Sequence, residues 1–205
     1  MSAIAAYRTA IQKILDDASK VRFSDDQTDQ GLRQALSEYS RRRPLVATRN
    51  IDGAGESVIE LPADFQPIHV TRVEYHDEDV TPQVEMMFYA FHQDSQWFLD
   101  LASQVITAAE SIDITYTTTH FIDGLDAAAG TSVPEEDETL LQVGAAGYAA
   151  LYRAVSRSES VNLQPDVNER LLSISSQFLR DFRNGLGKVP GTAFAQLPAI
   201  PTDTF

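Results

Sequence analysis

The sequence predicts an α+β protein: a four-helix domain, an inserted antiparallel β-sheet drawn as a meander, and an extended C-terminal arm. Three observations predict it. Apolar residues recur at helical spacing at both ends of the chain. Turn signals at short intervals separate β-rich runs in the middle. The last twenty residues carry three of the nine prolines and no helical period. The expected division is 1–44 with 131–185 as the helical domain, 45–130 as the insertion, and 186–205 as the arm.

The first helix follows from Ile4, Tyr7, Ile11, Ile14, Leu15 and Ala18, which share one face. A second starts at Ser24-Asp25-Asp26-Gln27, the form of a capping box, with Asp25, Asp26 and Asp29 near the positive end of its dipole. Leu32, Ala35, Leu36 and Tyr39 make its apolar stripe. Arg41, Arg42 and Arg43 close it, and Pro44 disfavours helical geometry at Arg43.

From residue 45 to about 121 the pattern changes. Asp52-Gly53-Ala54-Gly55, His76-Asp77-Glu78-Asp79 and His92-Gln93-Asp94-Ser95 read as turns. Strands are expected over 57–61, 68–75, 86–91, 96–101 and 112–118. In the last of these Ile112, Ile114 and Tyr116 face one way and Asp113, Thr115 and Thr117 the other. One sheet face is expected to be buried and the other acidic and wet.

Helix returns at Ser132-Val133-Pro134-Glu135, which fits an N-cap with its capping-box partner and proline in the first turn. This third helix is apolar on most sides, through Leu140, Gly144, Gly147, Tyr148, Leu151 and Val155 and through Leu141, Ala145 and Tyr152. It is therefore expected at the centre of its domain. Gly144 and Gly147 each cost about 1 kcal/mol against alanine, which suggests close approach by another backbone. A fourth helix starts at Asp166 and carries Val167, Leu171, Ile174, Phe178 and Phe182, with Gly185 as its stop.

The net charge is −14 and sits unevenly. Residues 50–140 hold 19 acidic side chains and 1 basic one, whereas the flanking segments are slightly basic. Such a chain is a poor general nucleic-acid binder, which needs cations to displace counterions from phosphates. Cysteine is absent, so disulfides and thiolate metal sites are excluded. No apolar run approaches the ~20 residues of a membrane span, and the N-terminus lacks a secretion signal's pattern.

No phosphate loop, dinucleotide fingerprint, His-Glu-x-x-His pair or nucleophile elbow occurs. His69, His76, His92 and His120 are dispersed. His76 with Asp77, Glu78 and Asp79 reads better as a polar hairpin tip than as a calcium or magnesium site. No catalytic residue, cofactor or metal is expected. Partner contacts are expected instead, at Arg41, Arg42 and Arg43 and at the arm's apolar residues Phe194, Leu197, Ile200 and Phe205. A second copy's acidic insertion would suit the arginines. The arm would seat in a groove, add a strand, or fold back on its own domain.

Three stretches resemble the head–tail connector (adaptor, neck) proteins of tailed bacteriophages. The first is Asp29-Gln30-Gly31-Leu32-Arg33-Gln34-Ala35-Leu36-Ser37-Glu38-Tyr39-Ser40-Arg41-Arg42-Arg43-Pro44. The second is Leu61-Pro62-Ala63-Asp64-Phe65 leading to Val73-Glu74-Tyr75. The third is Ile114-Thr115-Tyr116-Thr117-Thr118-Thr119-His120, then Val133-Pro134-Glu135-Glu136 and the Ala/Gly-rich helix. In order they cover about two thirds of the chain.

The resemblance implies a structural virion protein at the portal vertex, assembled in the bacterial host cytoplasm. It implies a ring of about twelve copies beneath the portal, in contact with the portal protein and a downstream neck or tail protein, with packaged DNA passing through unbound. Two other readings stay open at this point: an acidic DNA mimic that inhibits a DNA-processing enzyme, and an enzyme with dispersed carboxylates.

Overall fold

A computed structural model describes residues 3–17, 19, 22–62, 65, 67–76, 84–94, 96–102, 104–158 and 165–187. Among the described residues four helices, α1 (Ile4–Ile14), α2 (Asp25–Arg42), α3 (Glu135–Ser158) and α4 (Pro165–Gly187), flank seven strands. The strands are β1 (Leu45–Asp52), β2 (Val58–Glu60), β3 (His69–His76), β4 (Val84–Glu85), β5 (Tyr89–Gln93), β6 (Gln96–Asp100) and β7 (Ser111–Thr118). This is the mixed α+β architecture that the apolar periodicities predict. Residue 18 and the acidic turn residues 77–79 lie outside the described residues.

The capping box forms as expected. Ser24 Oγ accepts from Gln27 N–H at 3.3 Å, and Gln27 Oε1 accepts from Ser24 N–H at 3.2 Å. The helix ends at Arg42, two residues before Pro44.

The central helix is α3, which packs on α1, α2 and α4. Its alanines Ala145, Ala146, Ala149, Ala150 and Ala154 are buried. The glycines work differently from the expectation of backbone approach at Gly144 and Gly147. A Cβ on Gly144 would stand 2.7 Å from the Phe182 ring, and one on Gly147 would meet Leu179 and Phe178. Both make room for α4 side chains. Backbone approach occurs at Gly31 of α2, where a Cβ would stand 2.5 Å from the Ala145 carbonyl oxygen and 2.9 Å from the Ala149 nitrogen.

Two N-terminal and C-terminal expectations are corrected. Ser132 does not cap α3: its hydroxyl accepts from Phe121 N–H at 2.9 Å and lies 3.1 Å from His120 Nδ1. Gly185 does not stop α4. Its missing side chain admits Leu140, whose Cδ1 lies 2.3 Å from where a Cβ would be, and Leu186 beyond it is 4% exposed. Leu186 and Gly187 therefore belong to the helix rather than to the arm. Residues 188–205 lie outside the described residues, and Phe194, Leu197, Ile200 and Phe205 with them.

The strands form two antiparallel sheets, ordered β1-β7-β3-β4 and β2-β6-β5. The first departs from a plain meander, because β7 inserts between β1 and β3. Strand β1 was not anticipated from sequence. Its alternation is real, but Arg49 falls on the inner parity and Val46 on the outer, which blurs the pattern. Met86 is also outside a strand, although its N–H donates to the Val73 carbonyl at 2.8 Å.

A bulge between Val70 and Arg72 resets the side-chain parity of β3. Val70 and Val73, three apart, therefore both face inward, at 4% and 0% exposure. They join Ile51, Ile59, Leu61, Phe65, Leu99, Ile112 and Ile114 in one apolar cluster.

The helices enclose a second cluster built on Tyr7, Leu32, Tyr39, Leu141 and Phe182. Ile122 and Leu125, from the connection after β7, belong to this helical cluster. Among the described residues no helix is long and apolar enough to cross a membrane.

Candidate partner interface

Helices α2 and α4 end side by side, with Arg42, Leu186 and Gly187 lining one groove. Arg43 follows α2 and turns inward. Its Nη1 donates to Asp137 Oδ1 at 2.5 Å and its Nη2 to the Gly185 carbonyl at 3.1 Å. Asp137 also accepts from the Tyr39 hydroxyl at 2.6 Å. Burial opposes the Arg43 charge, but the hydrogen bond and charge of Asp137 outweigh it and raise its pKa. Burial, then the bond to Asp137, raise the Tyr39 pKa and keep its hydroxyl protonated.

Arg43 thus ties α2 to α3 and α4, with its side chain only 15% exposed. Of the three arginines expected to meet a partner, it is the one taken up internally. Arg41 and Arg42 are exposed.

Beside them runs an open groove in two adjoining parts that share Arg183. One is lined by Ser176, Leu179, Arg180 and Asn184, the other by Glu38, Arg42, Leu186 and Gly187. Glu38 is the carboxylate in this lining. It accepts from Arg183 Nε at 2.9 Å and from the Tyr148 hydroxyl. Burial would raise the Glu38 pKa. The bonds from Arg183 and Tyr148 and the nearby charges of Arg183 and Arg42 overcome this and lower it. With Glu38 paired to Arg183, the exposed guanidinium groups of Arg42 and Arg180 leave the groove cationic, and the exposed Arg41 adjoins Arg42 in the chain.

The first sheet presents the opposite charge. Asn50, Asp113, Glu74 and Glu85 are successive cross-strand partners across β1, β7, β3 and β4. Three carboxylates therefore stand in one row, an arrangement that like-charge repulsion disfavours. Local partners temper it. Arg72 Nη2 lies 2.6 Å from Glu74 Oε1, and Asn50 Nδ2 donates to Asp113 Oδ1 at 2.9 Å. This is the wet acidic face that the alternation of β7 predicts.

Among the described side chains the histidines do not converge. His120, in the connection after β7, is buried against Tyr39 of α2, His92 packs edge-on against Trp97 at 5.2 Å, and His69 starts β3. No group of three or more His, Cys, Asp or Glu able to hold a metal occurs among the described residues. The arrangement offers surfaces for charge-matched docking.

Sequence reasoning missed the Tyr148–Glu38–Arg183 and Tyr39–Asp137–Arg43 clusters. Apart from Tyr39 and Arg43, which are close in the chain, their members are separated by 35 to 145 positions, and helix packing brings them together. It also missed a row of rings on the second sheet. The Tyr89 and Phe91 centroids lie 6.0 Å apart at 19°, and those of Phe91 and Phe98 lie 5.4 Å apart at 15°. The i, i+2 spacing of Tyr89 and Phe91 was its available signal.

No protein-family model matches the chain. No curated protein matches it either. Among solved structures, it is similar to a chain in "Virion of native gene transfer agent (GTA) particle", at 15% identity over 83% of this chain and 86% of that one, with a TM-score of 0.33. It is also similar to a chain in "Neck of empty GTA particle computed with C6 symmetry", at 11% identity over 87% and 92%, again with a TM-score of 0.33.

Proposed function

We propose that the chain is a structural rather than catalytic protein, a head-to-tail adaptor of a phage-like virion neck. About twelve copies form a ring beneath the portal, around the channel through which DNA passes, and join the capsid to the next neck or tail component. The resemblance of the three sequence stretches supplies the place in the particle. One structural observation carries the mode of assembly: the chain holds a cationic corner, Arg41, Arg42 and Arg180, and an acidic row, Asp113, Glu74 and Glu85.

Two unlike, complementary patches on one chain suit a heterologous contact, in which the corner of one copy meets the sheet face of the next. Such contacts close into rings when the rotation between copies permits. Opposite charges set the register and speed encounter more than they add affinity. An acidic surface also leaves passing phosphates no cations to hold.

Electron microscopy of the chain mixed with its portal protein tests the placement; twelve-fold rings on the portal are expected, and failure to associate with portal or neck proteins overturns it. Charge reversal tests the contact. Arg41→Glu with Arg42→Glu is expected to abolish ring formation, as is Glu74→Lys with Glu85→Lys. Combining all four in one chain is expected to restore it. Rings formed equally well by each double variant would refute the charge-matched contact.

A further inference from the structure

The row of rings on the second sheet has no role in the assembly just described. Sheet order β2-β6-β5 leaves β5 as an edge, paired only with β6 among the described residues. Its register sets Phe91 opposite Phe98 and Tyr89 opposite Asp100, which in turn pairs with Val58 of β2. Tyr89, Phe91, Phe98 and Val58 therefore share one face. The opposite face carries Leu99, fully buried in the apolar cluster. Tyr89 is 69% exposed and Val58 38% exposed, and Met87 just before β5 is 79% exposed. An aromatic face beside an unpaired strand edge, in the most acidic part of the chain, is a surface that invites an apolar strand.

The chain itself contains a segment of matching chemistry. Residues 188–205 follow α4, and within them 191–197 are free of proline, bounded by Pro190 and Pro198. The run Gly191-Thr192-Ala193-Phe194-Ala195-Gln196-Leu197 has no charge, so it meets no repulsion from Glu60 or Asp100. Seven residues match the length of an ordinary strand, and the flanking prolines, lacking N–H groups, would end the pairing on either side.

We propose that residues 191–197 of a second copy add as a strand to the free edge of β5, with Phe194 laid on the Tyr89–Phe91–Phe98 row. The segment comes from another copy because its root lies in the helical unit, not in the second sheet. Gly187 lines the helical corner with Arg42, α4 packs on α3, and only Lys188, Val189 and Pro190, about 10 Å of chain, precede the strand. This contact is apolar and backbone-mediated. It is distinct from the charge-matched corner, and it stands whether or not the ring sits beneath a portal.

Hydrogen exchange on the full chain and on a chain ending at Gly187 tests it. In the full chain the β5 amides pointing away from β6 are expected to gain at least ten-fold protection at high protein concentration and to lose it on dilution. A synthetic peptide of residues 188–205 is expected to restore protection to the truncated chain in high salt. Tyr89→Asp in the protein, or Phe194→Asp in the peptide, is expected to weaken peptide binding at least ten-fold. Far-UV circular dichroism reports whether Tyr89→Asp still folds, and the peptide variant keeps the test open if it does not. Protection independent of protein concentration would show the arm on its own chain and overturn the exchange between copies. A peptide that leaves β5 exchange unchanged would overturn the site itself.

Discussion

Gly31 of α2 lies directly on the backbone of α3 at Ala145: a Cβ added to Gly31 would stand 2.5 Å from the Ala145 carbonyl oxygen. Backbone atoms of two packed helices cannot retreat as a side-chain tip can, so this glycine sets how closely the helices approach. Gly31→Ala gains about 1 kcal/mol of helix propensity and loses more to the forced separation, as overpacking costs about 1–3 kcal/mol. The expected outcome is net destabilisation in urea unfolding. Gly187→Ala, with nothing within 4 Å of its added Cβ, is expected to be close to neutral. Equal behaviour of the two variants would contradict the close approach.

The Arg43–Asp137–Tyr39 cluster makes a graded prediction. Arg43 and Asp137 side chains are 15% and 13% exposed, so removing one charge strands the other in a largely water-free site. Asp137→Ala is expected to cost about 3–5 kcal/mol, the range for breaking a buried pair. Tyr39→Phe removes one hydrogen bond while keeping the ring, and is expected to cost about 1–2 kcal/mol. By contrast, Arg33 and Asp126 pair at 2.8 Å with side chains 48% and 62% exposed. Asp126→Ala is expected to change stability by less than about 1 kcal/mol. A denaturant series on these three variants reads the order directly.

The helices were legible because each carries a local signal. The Ser24–Gln27 box, the stripe ending at Tyr39 and the stop at Pro44 all lie within a few residues of what they specify. The strand over 112–118 was legible for the same reason. What escaped was set by partners distant in the chain. Strand β1 depends on pairing with β7, 59 to 73 positions away, because its own pattern is mixed. The parity of β3 depends on a bulge at Thr71, whose hydroxyl donates to the Thr115 carbonyl at 3.0 Å. Ser132 looked like a cap because a serine three residues before a glutamate usually is one. Its hydroxyl is claimed instead by Phe121 and His120 across the loop. Of the three arginines at the end of α2, Arg41 and Arg42 are exposed. Arg43 turns in because Asp137, 94 positions later, sits under the end of α2.

His120 supplies a prediction in pH. It lies in the connection after β7, 8% exposed, with its ring edge-on to Tyr39 at 5.0 Å. Nε2 lies 3.0 Å from the Arg43 carbonyl and Nδ1 lies 3.2 Å from the Ser132 carbonyl; both carbonyls only accept, so the single proton of the neutral ring serves one of them at a time. When Nε2 carries that proton, Nδ1, 3.1 Å from Ser132 Oγ, accepts from that hydroxyl instead. Burial lowers the His120 pKa, and the bonds the ring donates to the Ser132 and Arg43 carbonyls and the charge of Asp137 only partly oppose it. The folded state therefore holds this proton less tightly than the unfolded chain, whose ordinary histidine value is 6.5.

Unfolding takes up a proton once the pH falls below that value, so stability is fully present above about pH 6.5 and declines as the pH drops through the folded value. The slope from one such group is at most about 1.4 kcal/mol per pH unit. Urea unfolding at pH 7.5 and 5.5 is expected to show a larger loss for the native chain than for His120→Asn. His69, His76 and His92 are common to both chains and cancel in the difference. Equal losses would mean that the His120 ring titrates alike in the folded and unfolded states, and would remove burial as the factor that keeps it neutral.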